Sequence, residues 1–524
     1  MIDDLGAYGP GTELEADLCV VGAGAAGLAI AREFLGSSTR VLVVESGGMT
    51  GEPETDRLKA GEAEGLGAEA LVEGRGRAFG GTTSLWAGQC IPLDEIDFEQ
   101  RDWVPHSGWP IAASDLSPYY ERAAELLGVP DETYDDALWG RWRASPPALD
   151  SDRLRHTYTA WSPHPDLGRA LRSEFRRAPN VRVLLHANAT AIQTNPERTA
   201  FDHLAVSHLG GTHARIRARA CVLCGGGIEN ARLLLMSGDP EAGGLANAHG
   251  NVGRYFQDHA NVRCAVVRPA DPRPLQDAYS LLYRRRRRYL PKLALAVAVQ
   301  RAERVLNCGA NLEYEFADEG LNALRRVYRR FRSAGGSTSL GRDLRLVARA
   351  LPAAAYAAYR RYALGRSIVA PPTAIWLQAH CEQAPTPDSR VRLSRERDAL
   401  GCNVARVEWR LGELERRTAE TMAKTVDDEF RRLGLATAEL PGWLVEPGGA
   451  WTEHAGYSYH HIGTTRMADD PAQGVVDRDC AVHGLAGVYA SGGSVFPTSG
   501  FANPTLTIVA LSLRLADHLR KQRQ

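Results

Sequence analysis

The chain is predicted to fold as a discontinuous α/β domain with a parallel sheet, joined to an α+β domain whose sheet is mainly antiparallel. Two observations carry this. A succession of strand, glycine turn, helix and strand from Asp17 to Glu45 returns in shortened form at Arg217 to Met236, about 200 residues later, so one parallel sheet draws on distant stretches. From Asn261 onward, apolar runs follow one another without the helices that parallel neighbours require. A length of 524 residues suits two large domains.

The first unit is Rossmann-like. Asp17 to Val21 reads as an apolar strand, Gly22, Gly24 and Gly27 stand in G-x-G-x-x-G spacing, Leu28 to Leu35 is helical, and a second strand from Arg40 to Val44 ends on Glu45. Such glycines let the backbone turn sharply and approach a pyrophosphate, which the helix N-terminus then faces. A carboxylate 18 residues past the last glycine can accept hydrogen bonds from a ribose, which points to FAD or NAD rather than NADP. Ser46 to Gly76 reads as loop. Phe79 to Gln89 then offers paired glycines followed by hydroxyl residues, either a tight turn or, after a nucleotide fold, a second cofactor contact.

A helix is expected from Asp115 to Leu127, and the Trp- and Pro-rich stretch 131–165 reads as an irregular lid. Its Trp139, Trp142, Tyr158 and Trp161 either stack on a ligand or pack the lid onto the core. Leu167 to Arg177 is a predicted helix and Val181 to Leu185 a strand, which Ala187 to Ile192 continues. In the second domain, strands are expected at Val262–Val267, Leu306–Phe316, Thr373–Cys381, Val391–Ser394 and Val404–Arg410, with a long helix from Leu411 to Leu433. Between Gly320 and Arg366 eleven arginines meet one acid, Asp343, and apolar residues recur at helical spacing. With Arg284 to Arg288 this makes a cationic amphipathic region, read as a solvated helical cap in preference to a contact with anionic lipid, an acidic partner or an acidic substrate.

Composition excludes several classes. With 62 basic and 63 acidic side chains no global field calls for nucleic acid, and no 18-residue apolar run could span a bilayer. Neither a signal peptide nor a disulfide framework is expected, and nine scattered cysteines suit a cytoplasmic protein. Cys221 and Cys224, the only C-x-x-C, lie on an apolar strand and read as packing; no metal site is expected.

The last seventy residues hold the candidate chemistry. His460 and His461 stand beside Gly463 and Thr464, a strand from Gly487 runs into Gly492-Gly493-Ser494, and Asn503-Pro504-Thr505 opens a closing helix. A histidine there can act as a base near neutral pH, and the helix mouth faces N–H groups toward an electron-rich group.

Together these stretches resemble the glucose–methanol–choline (GMC) flavin oxidoreductases over nearly the whole chain. The resemblance rests on Gly22 to Gly27 with Glu45, on Gly80 to Ser84, on Asn251 to His259 (V-G-x-x-x-x-D-H), on H-x-x-G-T-x-x-M at His460 to Met467, and on N-P-T-L-T at Asn503 to Thr507. The pattern is most similar to the pyranose oxidase and bacterial glycoside oxidoreductase branch. It implies an FAD-binding domain from 11–110, 165–260 and 470–524, a lid from 111–164, and a substrate domain from 261–469 with an Arg-rich helical insertion at about 320–366. It also implies FAD contacts at Gly22, Gly24, Ala25, Ala26, Gly27, Glu45, Ser46, Gly80, Gly81, Thr82, Ser84, Thr190, Gly493, Ser494, Asn503, Pro504 and Thr505. His460, three residues before the Gly-Thr, is the implied base while the substrate carbinol carbon passes hydride to flavin N5, and Asn503 steadies the alkoxide. His461 is the rival, but neighbours on an extended segment point to opposite sides. Leu85 stands where pyranose 2-oxidase carries a flavin-linked histidine, so FAD is expected to be non-covalent.

The expected activity is oxidation of an alcohol to a carbonyl on a sugar, glycoside or sugar-containing natural product, with O2, a quinone or another carrier as acceptor. The alternatives are a lipophilic alcohol or sterol as substrate, which the cationic region would favour, or a flavin-binding protein without turnover. Peripheral membrane contact is not favoured.

Overall fold

The computed structural model describes the chain apart from residues 131–132, 143–144, 285–286, 317–350, 368–370, 447–449 and 523–524. Six parallel strands form one sheet, in the order Ile2–Asp4, Val181–Leu185, Val41–Val44, Leu18–Val21, Ala220–Leu223, Val488–Ala490. Its central members, LCVV and VLVV, are buried at every position, the pattern of a sheet covered on both faces. The strands come from both ends and the middle of the chain, so the sheet is discontinuous as predicted. Helices Ala25–Glu33 and Thr505–Lys521 pack on each other beside it. Cys19, Cys221 and Cys224 are buried in and beside its strands, and all nine cysteines are free.

The second large sheet is antiparallel throughout. Its main path runs Thr437–Glu439, Ala260–Arg268, Ala374–Cys381, Cys308–Glu315, Arg287–Leu295, Leu154–Trp161, Gln89–Cys90. Helix Glu413–Arg432 packs across it with Met422, Val426 and Phe430 buried. The alternation of the strands sends Asn261, Lys292, Asn311 and His380 toward a cavity shared with the parallel sheet's glycine turns.

Several expectations are corrected. Ala187 to Ile192 does not extend the Val181–Leu185 strand: His186 turns the chain at φ 52°, and Asn188–Thr194 joins a separate four-stranded sheet. The supposed loop from Ser46 to Gly76 contains helices Pro53–Asp56 and Ala70–Glu73 and the strand Gly61–Glu64. That strand pairs in parallel with Asn403–Glu408, which with Arg390–Arg397 makes a small sheet of its own. The irregular lid is ordered at Leu154–Trp161, an eight-residue strand. Trp139, Tyr158 and Trp161 are buried in the core, Trp139 edge-to-face with Tyr158, and none of them reaches the cavity. Packing, not ligand stacking, is what these rings do, because the strand they belong to or cover lies inside the antiparallel sheet.

Arg284 and Arg287 to Arg288 lie on a β-hairpin, not a helix. Most of the predicted Arg-rich insertion lies outside the described residues. Within the part described, Arg360 pairs with Asp277, and Arg361 and Arg366 lie over the rings of Tyr283 and Trp139. No helix among the described residues is long and apolar enough to cross a membrane.

Candidate active site

The glycine turn after Leu18–Val21 forms the first wall of a cavity of about 840 Å³. Gly22 has φ 106°, and a Cβ there would sit 2.7 Å from the Cys224 carbonyl oxygen. A Cβ on Gly27 would lie 1.9 Å from the Gly22 oxygen, so this glycine lets the helix close on the strand rather than touching a ligand. Glu45 is buried, accepting N–H bonds from Ala23 and Gly47 at 2.9 Å each. Burial pushes its carboxyl up, and the two N–H groups and Arg77 oppose this.

The cavity receives Gly22, Gly24, Ala25, Ala26, Glu45, Ser46, Gly81, Thr82, Gly493, His460, Asn503, Pro504 and Thr505 from the predicted set. Five expected contacts sit behind it. Gly27 and Gly80 are used for close packing, Gly80 against Gly168. Ser84 donates to Gly81 O, Thr190 donates to Ala205 O, and Ser494 Oγ accepts from Asn230 Nδ2. Asn188 and Ala189 line the cavity where Thr190 was expected.

The segment that carries the two histidines is held by Asp258, which is fully buried. Its Oδ1 accepts the N–H groups of His259, Ser458 and His460 at 2.7, 3.1 and 3.0 Å. Burial pushes this carboxyl up to about 7 against those donors. The two adjacent histidines diverge. The His460 ring meets His259 edge-on, with Nδ1 2.9 Å from His259 Nδ1. The His461 ring instead packs beside Phe256, and its Nε2 is buried without a partner among the described residues. Burial holds both imidazoles neutral: His461 falls to about 3, and His460 lies well below the usual histidine range, helped by His259, His380, His461 and Lys292. Asn503 lies just ahead of the Thr505–Lys521 helix, and its Oδ1 is buried without a partner among the described residues.

Sequence reasoning missed the facing wall. His380 places Nδ1 2.6 Å from Asn261 Oδ1 and Nε2 2.6 Å from Asn311 Oδ1. Asn261 Nδ2 donates to Tyr457 O and Ser458 Oγ, which fixes its oxygen toward His380. Burial keeps His380 neutral, so its second nitrogen must accept, which requires the Asn311 amide to present Nδ2. Also missed was a charged cluster at Glu229, ringed by Arg75, Arg77 and Arg232 at 2.6, 3.2 and 3.1 Å. Burial alone would raise this carboxyl, and the three guanidiniums hold it well below the carboxylate range. Local sequence carries no sign of either group, because each is assembled from separate elements.

These residues fit FAD. A glycine-lined turn with a buried carboxylate opens onto the same cavity as two unpartnered polar atoms, on His461 and Asn503, and as the start of a long helix.

Comparison with known proteins agrees. Residues 385–512 match the family model described as GMC oxidoreductase. The chain is 23% identical to 2-methyl-1,2-propanediol dehydrogenase of Mycolicibacterium austroafricanum, over 97% of this chain and 96% of that one. It is 25% identical to paromamine 6'-oxidase of Streptomyces fradiae, over 95% and 90%. Among solved structures, formate oxidase superposes with a TM-score of 0.58 at 17% identity, covering 98% of this chain and 99% of that one. With the dinucleotide turn, the divergent histidines and the asparagine at the helix mouth in one cavity, residues 385–512 carry a GMC oxidoreductase C-terminal domain, and the chain is similar over nearly its whole length to oxidases and dehydrogenases of alcohol groups.

Proposed function

We propose that the protein oxidises an alcohol group of a sugar or glycoside to a carbonyl, with His460 as base and Asn503 as its partner. The observation that carries the sugar reading is the polar wall of Asn261, Lys292, Asn311 and His380 lining the cavity with His460. Asn261 and His380 pair with each other and with Tyr457, Ser458 and Asn311, so the groups open to a ligand are the Lys292 ammonium and the rest of the Asn311 amide. A hydroxyl-rich substrate can pair with these, whereas a sterol would leave them unsatisfied at a cost of about 1–3 kcal/mol each. The relative named paromamine 6'-oxidase supports oxidation on a sugar-derived framework.

The residues divide the work. His460 takes the carbinol proton on Nε2, because Nδ1 is engaged with His259. Asn503 turns its amide toward the developing alkoxide, a preorganised donor of oxyanion type. Asp258 fixes the backbone of His460 and keeps the imidazole aimed into the cavity. Bound FAD supplies the two-electron acceptor for the carbinol hydride. Leu85, which lines the cavity, offers no nucleophile, so non-covalent retention is part of the proposal. Eight of the nine free cysteines are buried, in keeping with a cytoplasmic location.

An anaerobic flavin-bleaching panel of sugars, glycosides, aminoglycosides, sterols and short aliphatic alcohols tests the reading. Pyranosides are expected to bleach fastest; ethanol or a sterol outpacing every pyranoside would overturn it.

A further inference from the structure

Among the described residues, Lys292 is a buried cation in the cavity wall with no counter-charge. It stands in the Arg287–Leu295 strand, is 3% exposed, and lines the cavity. Among the described residues no carboxylate lies within ion-pair distance of its ammonium and no acceptor within hydrogen-bond reach. Burial lowers its pKa to about 8, with nothing opposing. The titratable groups that feel its charge are three imidazoles, His259, His380 and His460, and each is pushed further toward neutrality by it. Glu313, which also lines the cavity, pairs with Arg263 at 3.2 Å, not with Lys292.

A buried cation without a partner is costly, and stays in a fold cheaply only if something else brings the opposite charge. A neutral pyranoside leaves that cost in place. A polycationic aminosugar adds like-charge repulsion. A carboxylate removes it, and a single ammonium suits a monoanion.

Resting on the sugar reading above, we propose that the substrate is an acidic sugar alcohol of uronoside type, its carboxylate docked on Lys292 while a ring carbinol faces His460 and Asn503. The Asn311 amide then meets a ring hydroxyl, and the Asn261–His380 pair holds that amide in place. The site thereby selects against aminosugars.

The test is anaerobic flavin reduction of the FAD-loaded protein by a methyl glucoside, the matching methyl glucuronoside and a methyl aminoglucoside. At pH 7 the uronoside is expected to exceed the glucoside in second-order rate by about 10- to 100-fold, the range of a charge-assisted hydrogen bond, with the aminosugar lowest. The preference should fall above pH 8 as the ammonium loses its proton. Lys292→Met, an apolar side chain of similar length, should collapse the uronoside-to-glucoside ratio to near unity. A ratio near unity in the unmodified protein, or one that survives both Lys292→Met and high pH, overturns the acidic-substrate proposal. Bleaching by no pyranoside of any charge, but by another alcohol class, overturns the sugar reading itself, and the two failures are separable.

Discussion

Replacing His259 tests how the base is prepared. Its Nε2 makes no well-aligned hydrogen bond, but the polar groups that the ring faces on that side are the carbonyls of Ser499 and Gly500. Carbonyls favour a proton on the nitrogen they face, so the neutral ring carries its N–H there and leaves Nδ1 as an acceptor, 2.9 Å from His460 Nδ1. His460 must then carry its proton on Nδ1 and keep Nε2 free for the substrate. In His259→Phe that Nδ1–H is buried without an acceptor. The cost to the productive tautomer is about 1–3 kcal/mol, or roughly 5- to 150-fold in the fraction of enzyme poised to react. Flavin reduction by a neutral alcohol, followed anaerobically by stopped flow, should slow by that factor. His259→Gln is the control, because its side-chain carbonyl can accept from the His460 Nδ1–H, and it should recover most of the rate. The pair of variants separates loss of the acceptor from loss of the ring. His259→Phe reducing flavin as fast as the native protein, or His259→Gln as slow as His259→Phe, would refute the tautomer argument.

Three further outcomes are expected. His460→Ala should slow anaerobic flavin reduction by about 10²- to 10⁴-fold, the worth of a general base, while His461→Ala, whose ring lies beside Phe256, should cost far less; the reverse order would reassign the base. Acid precipitation should release all the yellow colour into the supernatant, and colour held in the washed pellet would reveal a covalent link that Leu85 does not provide. With a neutral alcohol the rate should show no acid limb near the ordinary histidine pKa of about 6.5. The folded-state pKa of His460 is lowered, so the imidazole stays unprotonated as pH falls past that value, and a limb centred there would contradict its burial.

The parallel half of the molecule was legible because its signals are local. Gly22, Gly24, Gly27 and Glu45 lie within one βαβ unit, where spacing alone sets the turn and the acid. The antiparallel half was legible as strands but not as a site. Asn261, Lys292, Asn311 and His380 come from four strands, and only the sheet's register makes them neighbours. Leu154–Trp161 was lost to its aromatic and Pro-rich surroundings, although seven of its eight positions are buried. Thr190 was placed at the cofactor by family resemblance, through its backbone, and its side chain bonds Ala205 O while Asn188 and Ala189 line the cavity; Ser494, placed there likewise, turns its hydroxyl to Asn230.

On the proposed roles, the electrostatics of the catalytic end set a constraint on the chemistry. An imidazole held well below its ordinary pKa is a weak base, so His460 cannot draw the proton from an alcohol by basicity alone. The alcohol must be made more acidic where it binds. With a neutral alcohol, which leaves the Lys292 charge uncompensated, that charge, which with burial depresses His460, also favours negative charge on an oxygen in the cavity, and Asn503 adds a fixed dipole there. Proton transfer and alkoxide stabilisation are then coupled through one field. A change that neutralises Lys292 should raise the basicity of His460 while weakening alkoxide stabilisation, so the pH profile and the rate should shift together rather than independently.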